Sequence, residues 1–233
     1  MAKLRNYHRW IFEEIRTLLG GRTAEIGGGI GTFSREIANG MLRSNPGSSL
    51  EVFEPTPGLY DGLLKTFRHC AGDLVETGRL TAVPGYFQPS RNRYDSVVMV
   101  NVLEHVEDED PLFADIYRSL ESGGTLIVFV PALRWLYSPL DKEAGHYRRY
   151  EKKDLSALFE RNGFSVIKEQ YMDLAGIIPW YLINVIGRSR SFNPSLAALY
   201  DRLGIPLTRC LERSRGAPIG KNLLMAGRKL DPA

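Results

Sequence analysis

Apolar positions first recur at helical spacing: Trp10, Ile11, Ile15, Leu18 and Leu19 mark one face, and Gly20-Gly21 ends the pattern, which predicts an amphipathic opening helix. The period then shortens. Thr23-Ala24-Glu25-Ile26 is a strand running into Gly27-Gly28-Gly29-Ile30-Gly31, and Phe33, Ile37 and Ala38 mark a helix after that loop. A second strand covers residues 50–54, ended by Pro55-Thr56-Pro57-Gly58, with a helix around Leu63, Leu64 and Phe67 and a third strand at residues 80–83. Residues 95–100 are nearly all apolar after the first two, as a strand covered on both faces requires. A helix through Leu112, Ile116 and Leu120 follows, and Gly123-Gly124 turns the chain into a fifth strand at residues 125–130. A helix at 154–162 and strands at 164–167 and 222–226 complete the pattern. This alternation predicts an α/β fold whose seven-stranded, mostly parallel sheet carries helices on both faces.

At 233 residues and 43% hydrophobic composition the chain can bury one full core, so a single domain over 1–233 is expected. A net charge of +3 is too mild to predict a nucleic-acid partner. The two cysteines, Cys70 and Cys210, stand alone, which excludes a disulfide framework or a thiolate metal site and fits a reducing compartment. The N-terminus is polar and basic, and the longest apolar stretch, 174–186, is interrupted by Pro179 and Asn184 and is shorter than a bilayer span. A cytoplasmic location is therefore expected.

In open α/β sheets, ligands bind beyond the C-terminal ends of the strands, near the switch point of strand order. The glycine loop stands there. Its spacing, with Gly27, Gly29 and Gly31 present and Thr32 next, is G-x-G-x-G rather than the dinucleotide fingerprint, which argues against a nicotinamide-dependent oxidoreductase or epimerase. Glu54 ends the next strand, where a carboxylate can accept ribose hydroxyls.

Residues 24–31, Glu54, Asn101-Val102-Leu103-Glu104-His105-Val106 and residues 120–126 together resemble, in the right order, the motifs of class I S-adenosylmethionine (SAM)-dependent methyltransferases. The resemblance implies a Rossmann-like fold, SAM as cofactor and methyl transfer to a small-molecule, sugar or lipid-like acceptor. It implies that Glu25 and the loop backbone at Gly27 and Gly29 face the methionine part of SAM, that Gly31 belongs to the same cofactor-binding loop, and that Glu54, with Pro55 beside it, holds the ribose. Asn101, Leu103 and His105 would line the same pocket. The family's acidic residue after the third strand is replaced by Gly85-Tyr86-Phe87-Gln88, so Tyr86 or Phe87 is expected to stack on adenine. A catalytically silent SAM-binding partner subunit is the reading from another class.

On the acceptor side, His146 and His105 are the candidate bases, since both follow strands on the ligand side. The run His146-Tyr147-Arg148-Arg149-Tyr150 sets two guanidinium groups between phenols, a set suited to an anion or sugar, although Glu151 or Asp154 offers either arginine a plain structural partner. No metal-ligand spacing occurs, and no metal is expected. A helical, lid-like insertion at 172–218 carries Trp180 and then Leu196, Leu199, Leu203, Leu207 and Leu211, with Gly204 and Pro206 expected to kink its helix. Its charges are mostly basic: Arg188, Arg190, Arg202, Arg209, Arg213 and Arg215. A lid over the acceptor is the first reading, ahead of a homodimer contact and then a membrane-surface helix, with plain packing on the sheet as the structural counterpart of the lid.

Overall fold

In the computed structural model, which describes residues 4–91, 93–191, 193–213 and 216–230, the chain begins with α1 (Arg5–Ile15), β1 (Arg22–Ile26), α2 (Thr32–Ile37) and β2 (Ser49–Glu54). It continues through α3 (Pro57–Glu76), β3 (Leu80–Pro84), β4 (Tyr94–Val100), α4 (Asp110–Ser119) and β5 (Leu120–Pro131). The remainder is α5 (Pro139–Glu143), α6 (Lys152–Arg161), β6 (Phe164–Met172), α7 (Ile177–Trp180), α8 (Pro194–Leu199), α9 (Ile205–Glu212) and β7 (Asn222–Lys229). Arg215 lies outside the described residues.

The strands form one sheet in the order β3-β2-β1-β4-β5-β7-β6, with only β7 antiparallel to its neighbours. Strand order reverses at β1 and β4, so the glycine loop after β1 opens at the switch point. The central strands show why their sequences run apolar throughout. Val97 and Met99 of β4 enter the core on one face with Phe113, Phe159 and Phe164, while Val98 enters the other with Trp10, Ile11 and Phe67.

Several boundaries differ from the sequence pattern. The opening helix ends at Ile15, and Leu18 and Leu19 pack from the following turn. Pro57-Gly58 opens α3 rather than merely ending β2, because proline's fixed φ and missing N–H suit a first helical turn. The fifth strand begins at Leu120, with a register irregularity between Tyr94 and Ser96 on β4. The expected kink at Gly204 and Pro206 is absent: Gly204 keeps helical φ −69 and ψ −49, and a widened turn at Tyr200–Gly204 joins α8 to α9.

The insertion is fastened to the first helix. Asp201, almost fully buried, accepts the free backbone N–H groups of Asn6 and Tyr7 at 3.1 and 2.9 Å, capping α1 from the far end of the chain. The outer side of the insertion stays apolar, with Leu207 and Leu211 exposed at 61% and 65%. No helix among the described residues is long and apolar enough to cross a membrane.

Candidate functional site

The loop after β1 is pinned by its neighbour strand: Gly27 and Gly28 donate backbone hydrogen bonds to the Phe53 carbonyl at 2.8 and 3.1 Å. Its glycines have different jobs. A Cβ on Gly27 would lie 2.4 Å from Val102, and one on Gly31 2.9 Å from Leu63, so packing against neighbouring elements accounts for these two. Gly29, at φ +56, has nothing within 4 Å of its Cβ position and leaves open space at the end of the sheet.

Two carboxylates border that space. Glu54 accepts from Gly29 N at 2.7 Å and Thr56 N at 2.9 Å, one oxygen each, which orders the loop and leaves each oxygen a further lone pair for a ligand hydroxyl. Glu25 is 2% exposed and its Oε2 has no partner among the described residues. Burial pushes its pKa up to about 8, against a pull down from the Ser34 hydroxyl and with a further push from Glu54. A buried carboxyl short of a donor is the group that a ligand ammonium would satisfy, so the residues present fit SAM's amino group.

This shift has a pH consequence. The folded pKa exceeds the unfolded one, so Glu25's contribution to stability is complete below about pH 4.5 and is lost as pH rises through about 8. At about 1.4 kcal/mol per pKa unit, the ligand-free protein should lose several kcal/mol between those limits. Denaturant melts of wild type and Glu25→Gln at pH 5 and pH 8 check this: the variant should show a clearly smaller loss, and equal losses would refute it.

Asn101 sits at the end of β4 with φ +55, its N–H bonded to the Phe129 carbonyl at 2.8 Å. A non-glycine residue in the left-handed region signals a constrained position at this strand end. Leu103 is fully buried, and its carbonyl accepts the Tyr150 hydroxyl at 3.0 Å, so it is core rather than an open pocket wall. Phe87 is corrected in the same way: it packs edge-on against Phe53 at 5.1 Å and is 7% exposed. Tyr86, at 77% exposure, is the aromatic ring left free beyond β3, and Pro55 is exposed beside Glu54.

Across the sheet end, His105 and His146 meet edge to face with ring centroids 4.7 Å apart. His146 Nδ1 lies 3.1 Å from Asp141 Oδ1. Burial pushes the Asp141 carboxyl up, but His146, Arg149 and Ser138 outweigh it and hold the pKa below the usual range. Asp141 belongs to a capping box with Ser138 at the start of α5. Glu104 is fully buried and neither carboxylate oxygen has a hydrogen-bond partner in another described residue; one ligand atom from it and one each from His105 and His146 lie within 4.8 Å of one another. Linear spacing did not suggest such a cluster.

The two arginines are engaged. Arg148 bonds to the Glu109 carboxylate and the Glu107 carbonyl, with Tyr147, 53% exposed, beside it. Arg149 is 3% exposed, donates to Asp141 at 2.9 and 3.1 Å and to the Ala132 carbonyl at 3.1 Å, and lies 4.6 Å over the Trp180 ring. Glu151 and Asp154 instead serve Arg134. An open anion fork at 148–149 is thus corrected: both guanidinium groups are spent on internal partners.

Trp180 also donates from Nε1 to the Leu136 carbonyl at 3.0 Å and walls a cavity of about 560 Å³ beneath the insertion, with Tyr7, Leu140, Ile183, Leu199 and Leu203. Lys221 was missed in the sequence because it lies in no motif. Its ammonium is 2.8 Å from Asp173 and 5.6–5.8 Å from the Tyr7, Trp180 and Tyr200 ring centroids, facing the same cavity.

The family model described as "Methyltransferase domain" matches residues 4–169. No curated protein sequence matches this one. Among solved structures, the chain is similar to a protein of Galdieria sulphuraria proposed as a sarcosine dimethylglycine methyltransferase, at 15% identity and TM-score 0.64, covering 97% of this chain and 86% of that one. It is also similar to Haemonchus contortus phosphoethanolamine N-methyltransferase 2 in complex with SAM, at 17% identity and TM-score 0.59, covering 97% of this chain but only 57% of that one. A geranyl diphosphate methyltransferase in complex with GPP and sinefungin aligns at 12% identity and TM-score 0.64 over 96% of this chain and 78% of that one.

Proposed function

This chain belongs to the methyltransferase-domain family and is a class I SAM-dependent methyltransferase, and we propose that its acceptor is a small, sugar- or lipid-like molecule whose apolar body enters the cavity beneath α7, α8 and α9. The cavity carries this reading. Leu140 and Trp180 form part of its wall, while the adjoining Asp141 and the stacked Arg149 hold His146, so the acceptor space and the histidine pair share one scaffold. The Lys221–Asp173 pair is a polar spot on the largely apolar wall, which a polar group on the acceptor would meet.

SAM supplies an already activated methyl group, which leaves the protein alignment, exclusion of water and handling of the acceptor's proton. Glu25 receives the cofactor's ammonium, Glu54 its ribose hydroxyls, and the space at Gly29 admits its approach to the backbone. With Nδ1 held by Asp141, His146 keeps Nε2 for the acceptor side.

The test is methyl transfer from labelled SAM to a panel of amphiphilic and fully polar acceptors, followed by His146→Ala on the best one. Amphiphilic acceptors should be preferred. The variant should lose roughly 10²-fold in kcat with unchanged SAM affinity in calorimetry. Methylation of fully polar molecules alone, or an unchanged kcat in the variant, would overturn the acceptor reading.

A further inference from the structure

Glu104 poses a physical problem that methyl transfer alone leaves unanswered. A carboxyl group removed from water with no hydrogen-bond donor from another described residue is costly unless it stays protonated or meets a cation. Arg149, the nearby fixed cation, directs its bonds to Asp141 and the Ala132 carbonyl instead. The other groups at hand are two imidazoles.

We propose that Glu104, His105 and His146 bind a divalent transition cation, Zn²⁺ being the probe of choice. Three features support a built site. The potential ligand atoms already lie within 4.8 Å of one another, and rotating the exposed His105 ring can draw them toward the roughly 2.0–2.2 Å ligand distances of zinc. Asp141 holds His146 Nδ1, which leaves Nε2 as the ring nitrogen for a cation, the carboxylate–histidine–metal arrangement that orients ligands in metal sites. Ser138 and Arg149 in turn fix Asp141. One carboxylate with two imidazoles and no thiolate suits Zn²⁺, Mn²⁺ or Fe²⁺ better than Mg²⁺ or Ca²⁺, which prefer oxygen ligands.

Three protein ligands leave a coordination position open, and an acceptor bearing an oxygen nucleophile can take it. This consequence rests on the methyl-transfer reading; cation binding does not. The acceptor oxygen bound there would lose its proton to solvent and form the bond to the methyl carbon. The carbon–sulfur bond breaks with its electron pair remaining on sulfur, yielding methylated acceptor and a neutral thioether. The histidines then act as ligands rather than free bases.

The test uses the full chain, stripped by a chelator and titrated with Zn²⁺ in the absence of SAM, with SAM binding measured on the same samples. The expected result is one Zn²⁺ per chain at micromolar or tighter affinity, unaffected by excess Mg²⁺, and weakened at least tenfold in both Glu104→Gln and His105→Ala. Glu104→Gln removes a buried unpaired carboxyl, and His105 is exposed, so melting curves of both metal-free variants should match or exceed wild type. Absence of saturable Zn²⁺ binding, or affinity unchanged in both variants, overturns the site. SAM binding without Zn²⁺ binding would sink the cation site alone, whereas Zn²⁺ binding without SAM binding would support the cation site and sink the cofactor reading.

Discussion

Gly29→Val is expected to leave the protein folded and to abolish SAM binding. Nothing in the chain lies within 4 Å of the Cβ position at Gly29, so the new side chain meets the ligand rather than the protein. The backbone is at φ +56, which adds a strain of about 1–2 kcal/mol for a side-chain-bearing residue. That cost is small beside the loss of the space through which the cofactor approaches the loop. Gly28→Val supplies the contrast: its Cβ would lie 2.2 Å from Val52, so it should lower the melting temperature by overpacking. Calorimetry with SAM and thermal melts of both variants separate the effects. Near wild-type SAM affinity in Gly29→Val would move the cofactor away from this loop.

The glycine spacing located the loop but not which glycine has open space at its Cβ position. That is decided by Val102 and Leu63, contributed by other elements, which close off Gly27 and Gly31. The central sheet was legible for a related reason: β4 and β5 bury both faces, and a continuous apolar run between glycine or polar breaks leaves little alternative. The insertion was not, since its leucines support a helix whether they line the cavity, as Leu199 and Leu203 do, or point outward like Leu207 and Leu211. The acceptor side was half legible. His105 and His146 could be marked by type and position, but their meeting, the unpaired carboxylate of Glu104 and the Asp141 anchor depend on contacts across the sheet end that have no linear signature. Lys221 reaches the cavity only because β7 inserts antiparallel between β5 and β6.

The adjacent arginines should separate sharply. Arg149→Ala is expected to destabilise the fold by about 3–5 kcal/mol, because it removes one member of a buried ion pair and leaves the other charge uncompensated. Asp141 would keep only His146 and Ser138, and the Ala132 carbonyl and Trp180 ring would lose their cation. At roughly 2–4 °C per kcal/mol for a chain of this size, the melting temperature should fall by about 6–20 °C. His146 would lose its fixed orientation with the same change, so kcat should fall as well. Arg148→Ala should cost only about 1 kcal/mol, since Arg148 is partly solvated, although its Glu109 partner is more buried. Thermal melts of the two variants, with Arg149→Lys as the charge-preserving control, make the comparison. A pair of variants that melt together near wild type, with Arg149→Ala raising only the acceptor KM, would return Arg149 to the role its sequence context first suggested: an open fork for an anionic group on the acceptor.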